Sequence, residues 1–281
     1  MPVFSTPEPA PVVIDVVAGD IRITASDRSD TVVEVTPSDP AHDPDVRAAE
    51  QTRVEQTAAG LLVKGPRQRT ASLRNKVGSV DVSIELPAAS PVRAEVAIGA
   101  VRASGPLGEC RIKTSAGEIE IEQAGAADLT CGAGSITAGR LDGHTEASTG
   151  SGRLRLGEIR GSAVIKNANG DIWIGHVTGD LRMNTANGDL TVGRADDGVT
   201  ASTANGAIRA SDVRRGSISL KTGLGEIEVG IREGTAARLD VSTGFGRVHN
   251  ELTAADSPGA ADDIAEVRAR TSYGDIYVRR P

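Results

Sequence analysis

The chain has 281 residues, carries a formal net charge of −7, and is only 2% aromatic. This small number of aromatic rings excludes a core built around large aromatic side chains. Small and β-branched residues must therefore fill the interior. The acidic balance argues against duplex DNA and anionic membrane surfaces as partners, because both attract positively charged protein surfaces. We therefore expect no nucleic-acid binding. We also expect no direct membrane insertion, because no run of residues is apolar enough to span a bilayer.

The first ninety residues show an irregular pattern. Apolar residues alternate along 12–23, and residues 31–36 indicate a strand. A charged stretch over 41–55 interrupts the pattern, and residues 60–64 form a hairpin-like stretch. We interpret residues 1–90 as irregular coils with a cap, because the first coil of a solenoid needs a cover over its open edge.

Residues 91–281 form a tandem repeat with a period of about 18 residues. Each repeat carries the phrase Thr-x-x-Gly-x-Φ-x-Φ, where Φ is apolar, and apolar residues also stand five and seven positions before the glycine. Polar residues separate these apolar positions, so each phrase predicts two half-buried strands on either side of a glycine turn. The glycines are Gly99, Gly117, Gly134, Gly152, Gly170, Gly188, Gly206, Gly225, Gly246 and Gly274.

One repeat buries too few side chains to offset the entropy of ordering its chain, so the repeats must stack. The pattern therefore predicts an all-β fold, a single-stranded β-solenoid (β-helix). The general preference for right-handed crossovers between parallel strands favours a right-handed helix. The long interval between Gly246 and Gly274 predicts a loop insertion near residues 251–265, before the last coil.

Asn-Gly pairs recur at 169–170, 187–188 and 205–206, and Asp171 and Asp189 follow the first two. Stacked Asn-Gly-Asp sequences are one way to bind calcium, but the nonapeptide of calcium-binding β-rolls is absent. Asparagine and glycine are also the residues that tight turns need, and asparagines one coil apart can form a hydrogen-bonded ladder. We favour the ladder.

The remaining reactive side chains give no sign of a catalytic or metal centre. Cys110 occupies an apolar slot and Cys131 a threonine slot, so both fit as small buried side chains. The four histidines stand at different repeat positions without the spacing of metal ligands. We therefore expect no enzyme activity, no catalytic residues, no metal and no cofactor. The histidines are His42, His144, His176 and His249.

Trp173 falls in a column of outward positions, three residues after each glycine. An exposed tryptophan on a flat sheet can anchor a partner, although a lone exposed apolar side chain commonly has no role. Arg155, Arg209 and Tyr277 share this column. These four residues form the predicted partner-binding surface.

The repeat phrases, with sequences such as Ala-Val-Ile-Lys-Asn-Ala-Asn-Gly-Asp-Ile-Trp-Ile (163–174) and Arg-Thr-Ser-Tyr-Gly-Asp-Ile (270–276), resemble a bacterial family. It is the β-strand-repeat family labelled "putative adhesin", otherwise of unknown function, and the chain is most similar to its actinobacterial members. The resemblance covers nearly the whole chain and implies a β-solenoid. It implies no catalytic or ligand residues that could be transferred.

Three functions from different classes fit these observations. The favoured one is a non-enzymatic scaffold that binds an unknown protein partner or its own copies. A second is a filament protein that resembles bactofilins and assembles through its end coils. A third is a carbohydrate-binding or carbohydrate-active solenoid, for which Asp171, Asp189 and Arg209 come nearest to a site. The first twenty residues lack the features of a signal peptide, which predicts a cytoplasmic protein, whereas the adhesin label implies surface exposure.

Overall fold

The structure is a computed structural model that describes residues 2–66, 78–253 and 263–281. It consists almost entirely of parallel strands that alternate between two sheets, with the apolar slots buried between them. The predicted all-β solenoid is therefore confirmed. Contacts divide the chain into two compact units, Met1–Leu141 and Asp142–Pro281. The predicted boundary near residue 90 concerned the regularity of the repeat and stays a prediction.

The first unit contains one helix and thirteen strands among the described residues. These are β1 (Val3–Ser5), β2 (Val12–Ala18), β3 (Ile21–Ser26), β4 (Asp30–Pro37), α1 (Asp43–Gln51), β5 (Arg53–Thr57), β6 (Gly60–Lys64), β7 (Val80–Pro87), β8 (Val92–Ile98), β9 (Val101–Pro106), β10 (Cys110–Ala116), β11 (Ile119–Ala124), β12 (Ala127–Ala133) and β13 (Ile136–Asp142). One sheet has the order β1-β4-β7-β3-β9-β11-β13, and the other has the order β5-β6-β2-β8-β10-β12.

The second unit is more regular. Its strands are β14 (Thr145–Ser151), β15 (Leu154–Arg160), β16 (Ala163–Asn169), β17 (Ile172–Val177), β18 (Leu181–Asn187), β19 (Leu190–Ala195), β20 (Val199–Asn205), β21 (Ile208–Val213), β22 (Gly216–Leu224), β23 (Ile227–Ile231), β24 (Thr235–Phe245), β25 (Val248–Asn250), β26 (Asp263–Tyr273) and β27 (Ile276–Arg279). The sheet orders are β15-β17-β19-β21-β23-β27-β25 and β14-β16-β18-β20-β22-β26-β24.

At the end of the second unit, the coils do not stack in the order in which they follow one another along the chain. Instead, the coil of β26 and β27 lies between that of β22 and β23 and that of β24 and β25. The loop predicted near 251–265 falls mainly on residues 254–262, outside the described residues, and Asp263–Ala265 already belong to β26.

The beginning of the first unit shows the same kind of insertion. The coil of β2 and β3 stacks on that of β8 and β9, although about sixty-five residues separate them. The intervening chain covers the other side with β6 and β7, and then with the antiparallel strands β5 and β4. Helix α1, in the charged stretch, was not predicted. Its buried Asp45 accepts hydrogen bonds from the backbone N–H groups of Ser79 and Asp39 at 2.9 and 3.2 Å.

The repeated glycine is explained by the closeness of successive coils. Gly188 has φ +141°, and a Cβ on it would overlap the carbonyl oxygen of Gly170 in the neighbouring coil. Gly206 stands in the same relation to Gly188. A side chain at this position would therefore both strain the backbone and push the coils apart.

The repeated threonine links neighbouring coils at several positions. The Thr222 hydroxyl donates to the carbonyl oxygen of Gly206 at 2.9 Å, and Thr203 donates to that of Gly188 at 3.2 Å. Cys131 makes the same contact with its thiol, to the Gly117 oxygen at 3.2 Å. The threonine of the Thr-x-x-Gly phrase thus supplies a hydrogen bond between coils. Its acceptor is the carbonyl oxygen of the turn glycine in the neighbouring coil, which would otherwise lack a partner.

Both cysteines are buried, as predicted. Cys110 and Cys131 are each 1% exposed. Burial, with a smaller contribution from the charge of Glu109, raises the pKa of the Cys110 thiol to about 12. The thiol therefore stays protonated at neutral pH and is a poor nucleophile.

The glycine contact predicts different effects for two substitutions. Gly188→Ala combines backbone strain with overlap, and we expect it to lower the free energy of unfolding by more than about 3 kcal/mol. Gly234 also has a positive φ, +79°, but no described atom lies within 4 Å of a Cβ built there. Gly234→Ala should therefore cost only about 1 kcal/mol. Urea unfolding midpoints measure both, and equal losses would show that overlap between coils is unimportant.

Candidate interaction surface

The four predicted surface residues lie in one column on the outside of the second unit. We call this column the outer ladder, because its members are register partners on successive strands about 4.8 Å apart. In spatial order it consists of Arg155, Trp173, Thr191, Arg209, Glu228, Tyr277 and His249.

Trp173 is an exposed residue near one end of the outer ladder. Its side chain remains accessible, with 37% of the residue exposed, and the Arg155 guanidinium lies 4.6 Å from the ring centroid. The guanidinium of Arg155 therefore covers one face of the Trp173 ring in a cation–π contact. Arg155 and Trp173 are adjacent in register, so the structure brings these two predicted residues together.

A floor of half-buried glycine backbone lies beside Trp173, and the sequence analysis missed it. Gly157, Gly175 and Gly193 are stacked neighbours, and a Cβ on Gly175 would come within 3.1 Å of the Trp173 ring. The outer edge of the ring therefore leans along its strand toward Gly175. The recurrence of glycine five residues after Gly152, Gly170 and Gly188 was a signal that could have found this floor. The glycines have no side chains, so another chain can approach the sheet closely beside the exposed ring.

The other two predicted residues lie further along the ladder and are already engaged. The Arg209 Nε lies 3.4 Å from a carboxylate oxygen of Glu228, which also pairs with Arg279. Tyr277 stacks on His249 with ring centroids 4.8 Å apart and donates its hydroxyl to Asp275 at 3.3 Å. Three strands, β19, β21 and β23, lie between Trp173 and Tyr277, so the structure does not bring them together.

An ionic cluster at the edge of the second unit was not predicted. Asp196 is hydrogen-bonded to His176 at 2.8 Å and accepts from Arg194 and Arg232 at 3.2 Å each. Arg232 also makes two 2.8 Å hydrogen bonds with Asp212. Burial would raise the pKa of Asp196, but the three partners outweigh it and lower the pKa to about 2. Because each charge is paired, the cluster stabilises the turns rather than offering a free acid or base.

The asparagine ladder is confirmed. The Asn187 amide donates to Asn169 at 2.9 Å, and the Asn205 amide donates to Asn187 at 2.8 Å. The aspartates satisfy backbone groups of the next coil: Asp171 accepts from the Asp189 N–H at 3.0 Å, and Asp189 accepts from the Ala207 N–H at 2.8 Å. The Asn-Gly-Asp sequences therefore have a structural use that accounts for their repetition.

A second group of exposed apolar residues also escaped the sequence analysis. Leu224, Tyr273 and Phe245 are register neighbours on β22, β26 and β24, and they are 51%, 52% and 68% exposed. The rings of Tyr273 and Phe245 stack at 4.8 Å with an interplanar angle of 7°. Sequence order hides this group, because it depends on the insertion of the last coil. We call these three residues the end cluster.

The described residues show no metal site and no membrane-spanning helix. They contain no group of three or more His, Cys, Asp or Glu side chains placed to hold a metal ion. Nor does any described helix have the length and apolar character needed to cross a membrane.

A known protein family matches nearly the whole chain. The family model of Toastrack DUF4097 matches residues 11–279. The chain belongs to the Toastrack DUF4097 family. This agrees with the resemblance found in the repeat phrases. No curated protein matches the chain significantly.

Two solved structures are similar to this Toastrack chain. One is described as a "putative cell adhesion protein" from Clostridium sporogenes, with 11% identity, a TM-score of 0.21, and coverage of 100% of this chain and 98% of that chain. The other is described as a "putative adhesin" from Bacteroides fragilis, with 12% identity, a TM-score of 0.35, and coverage of 100% and 95%. Likeness at this level carries no argument about the outer ladder.

The contact between Arg155 and Trp173 can be tested directly, because Trp173 is the single tryptophan of the chain. We expect Arg155→Ala to cost about 0.5–1 kcal/mol and to make Trp173 more accessible to quenching by acrylamide. Arg209→Ala is the matched control, since Arg209 lies two strands from Trp173 on the same ladder. Steady-state fluorescence measures both variants. Equal quenching of the wild type and Arg155→Ala would show that the guanidinium does not cover the ring.

Proposed function

We propose that this Toastrack protein is a non-enzymatic interaction protein that binds a protein partner through Trp173 and the adjoining glycine floor. The observation that supports the proposal is the exposed ring of Trp173 on a parallel sheet, with one face covered by the guanidinium of Arg155. Tryptophan and arginine are the residues that most often dominate binding energy at protein interfaces. A rigid sheet also limits the entropy lost when the partner is bound.

The charge pattern of the ladder supports a protein partner. Arg155 lies beside Trp173, and Arg209 follows two strands further on, with the neutral Thr191 between them. A partner that places an apolar group on the ring could satisfy Arg155 with a carboxylate at the rim. Such rim charges contribute to specificity and to the rate of association more than to affinity.

A carbohydrate-active function has less support. The carboxylates that came nearest to a catalytic pair, Asp171 and Asp189, accept backbone hydrogen bonds that organise the turns. Arg209 forms an ion pair with Glu228. A glycosidase needs two carboxyl groups that are free to exchange protons and attack the sugar.

Site-specific photo-crosslinking tests the proposal. A benzophenone amino acid at Thr191, next to Trp173 on the ladder, should give a defined protein adduct in an extract of the source cells. We expect Trp173→Ala to reduce that adduct at least tenfold, which corresponds to about 1.4 kcal/mol of binding energy. The matched control carries the crosslinker at the exposed Thr200 of β20, on the other sheet, and should give no such adduct.

Two results would contradict the proposal. An adduct that persists in Trp173→Ala would show that the ring does not bind the partner. Binding of the purified protein to a glycan array, lost in Trp173→Ala, would assign the surface to a carbohydrate instead. Circular dichroism of each variant confirms that the fold is retained.

A further inference from the structure

The end coil of the second unit, formed by β24 and β25, has an open edge. Strand β24 is 11 residues long, and among the described residues its one sheet neighbour is β26. Along its other side the backbone N–H and C=O groups face outward without a strand partner from the described part of the chain. A long edge strand of this kind is a template for pairing with another strand.

The apolar slots of the end coil are incompletely covered. Leu239 and Val241 are only half-buried, and Val248 is 41% exposed. Their register partners one coil further in, Val267, Ala269 and Ile276, are all 0% exposed. The end coil therefore leaves apolar surface that one more layer would cover.

Aromatic residues concentrate at the same end. The chain has five Phe, Tyr and Trp residues, and three of them, Phe245, Tyr273 and Tyr277, lie in the last two coils of the stack. The end cluster with Leu224 is exposed beside the open edge. Aromatic residues are enriched at protein interfaces, and exposed apolar patches mark them.

The outermost strands of the first unit are built differently. There β1 has three residues, and β5 is a five-residue strand of mostly exposed polar side chains. Short, polar edge strands resist pairing with other chains. The edge strands of the first unit are thus poor templates, whereas β24 is 11 residues long and its exposed charges, Arg238 and Asp240, are of opposite sign.

The sequence of β24 is complementary to itself in the antiparallel direction. A two-fold axis through Leu239 would place Leu239 opposite its own copy and Ala237 opposite Val241, all in the inward slots. On the outward face it would place Arg238 opposite Asp240 of the second copy, twice. Both side chains are exposed, at 80% and 59% of their side-chain surface, and within one copy each makes only a weak pair, Arg238 with Glu266 and Asp240 with Arg270.

We propose that a second copy of this chain binds the end coil, with the two β24 strands paired antiparallel about Leu239. The interface is isologous, because the same surface is used by both copies, so association closes at a dimer. Backbone hydrogen bonds between the two β24 strands supply the layer that the end coil lacks. The two Arg238–Asp240 contacts across the axis fix the register. The inference is independent of the Trp173 surface.

Sedimentation velocity of the full-length protein over an about hundredfold range of concentration measures the dimer. Arg238→Asp and Asp240→Arg each place like charges opposite one another, and we expect either change alone to weaken self-association at least tenfold. An equimolar mixture of the two single variants should restore the dimer as a heterodimer, because every cross-axis contact is then between opposite charges. Loss of the weak pairs with Glu266 and Arg270 inside one copy could not produce that restoration.

Several outcomes would overturn the proposal. These are a wild-type monomer at all concentrations, growth beyond a dimer, or no recovery in the mixture. If the wild type stays monomeric and a variant with residues 254–262 replaced by a short Gly-Ser linker dimerises, the edge is occupied by the protein's own chain. Trp173→Ala should leave the dimer unchanged, and the charge variants should leave the Thr191 adduct unchanged, so failure of one proposal is distinguishable from failure of the other.

Discussion

The contact between the turn glycines of neighbouring coils is the constraint on which the rest of this structure depends. Gly188 approaches the carbonyl oxygen of Gly170 so closely that no side chain fits between them. The threonine three residues earlier satisfies such carbonyls, as Thr222 does for Gly206. Coils held in this way stay in register, so side chains at equivalent positions form straight ladders on the surface. The asparagine ladder, the ionic cluster and the outer ladder with Trp173 all result from this registration.

Near the ends of the chain, the coils do not stack in sequence order as they do in its middle. In the middle, sequence order and stacking order agree, whereas at the end of the second unit the last coil is inserted beneath the coil of β24 and β25. This insertion buries Val267 and Ile276 completely and leaves Leu239 and Val248 at an open edge. It also brings Tyr273 against Phe245. The insertion therefore both secures the end of the chain and creates the surface that we assign to a second copy.

Much of the fold was predictable because its cause is local and repeated. The phrase Thr-x-x-Gly-x-Φ-x-Φ carries the turn, the hydrogen bond between coils and the buried slots in a single period, and it predicted the burial of Cys110 and the column of Trp173. The order of the last coils was not predictable, because the phrases at Gly246 and Gly274 fit the repeat equally well. The contact of Arg232 with Asp196 was equally hidden, because it depends on a register shift between Ala210 and Val213. Helix α1 was missed because its charged sequence resembles an exposed insertion.

Disulfide trapping tests the stacking order most directly. Tyr277 is the register partner of both Glu228 and His249, whereas Glu228 and His249 lie two strands, or about 9.6 Å, apart. Cysteines form disulfides readily when their Cα atoms are about 4.4–6.8 Å apart. The double variant Glu228→Cys/Tyr277→Cys should therefore oxidise rapidly to an intramolecular disulfide, and Glu228→Cys/His249→Cys should not. The reverse result would mean that the coils stack in sequence order, and it would contradict the inserted last coil and the open end that follows from it.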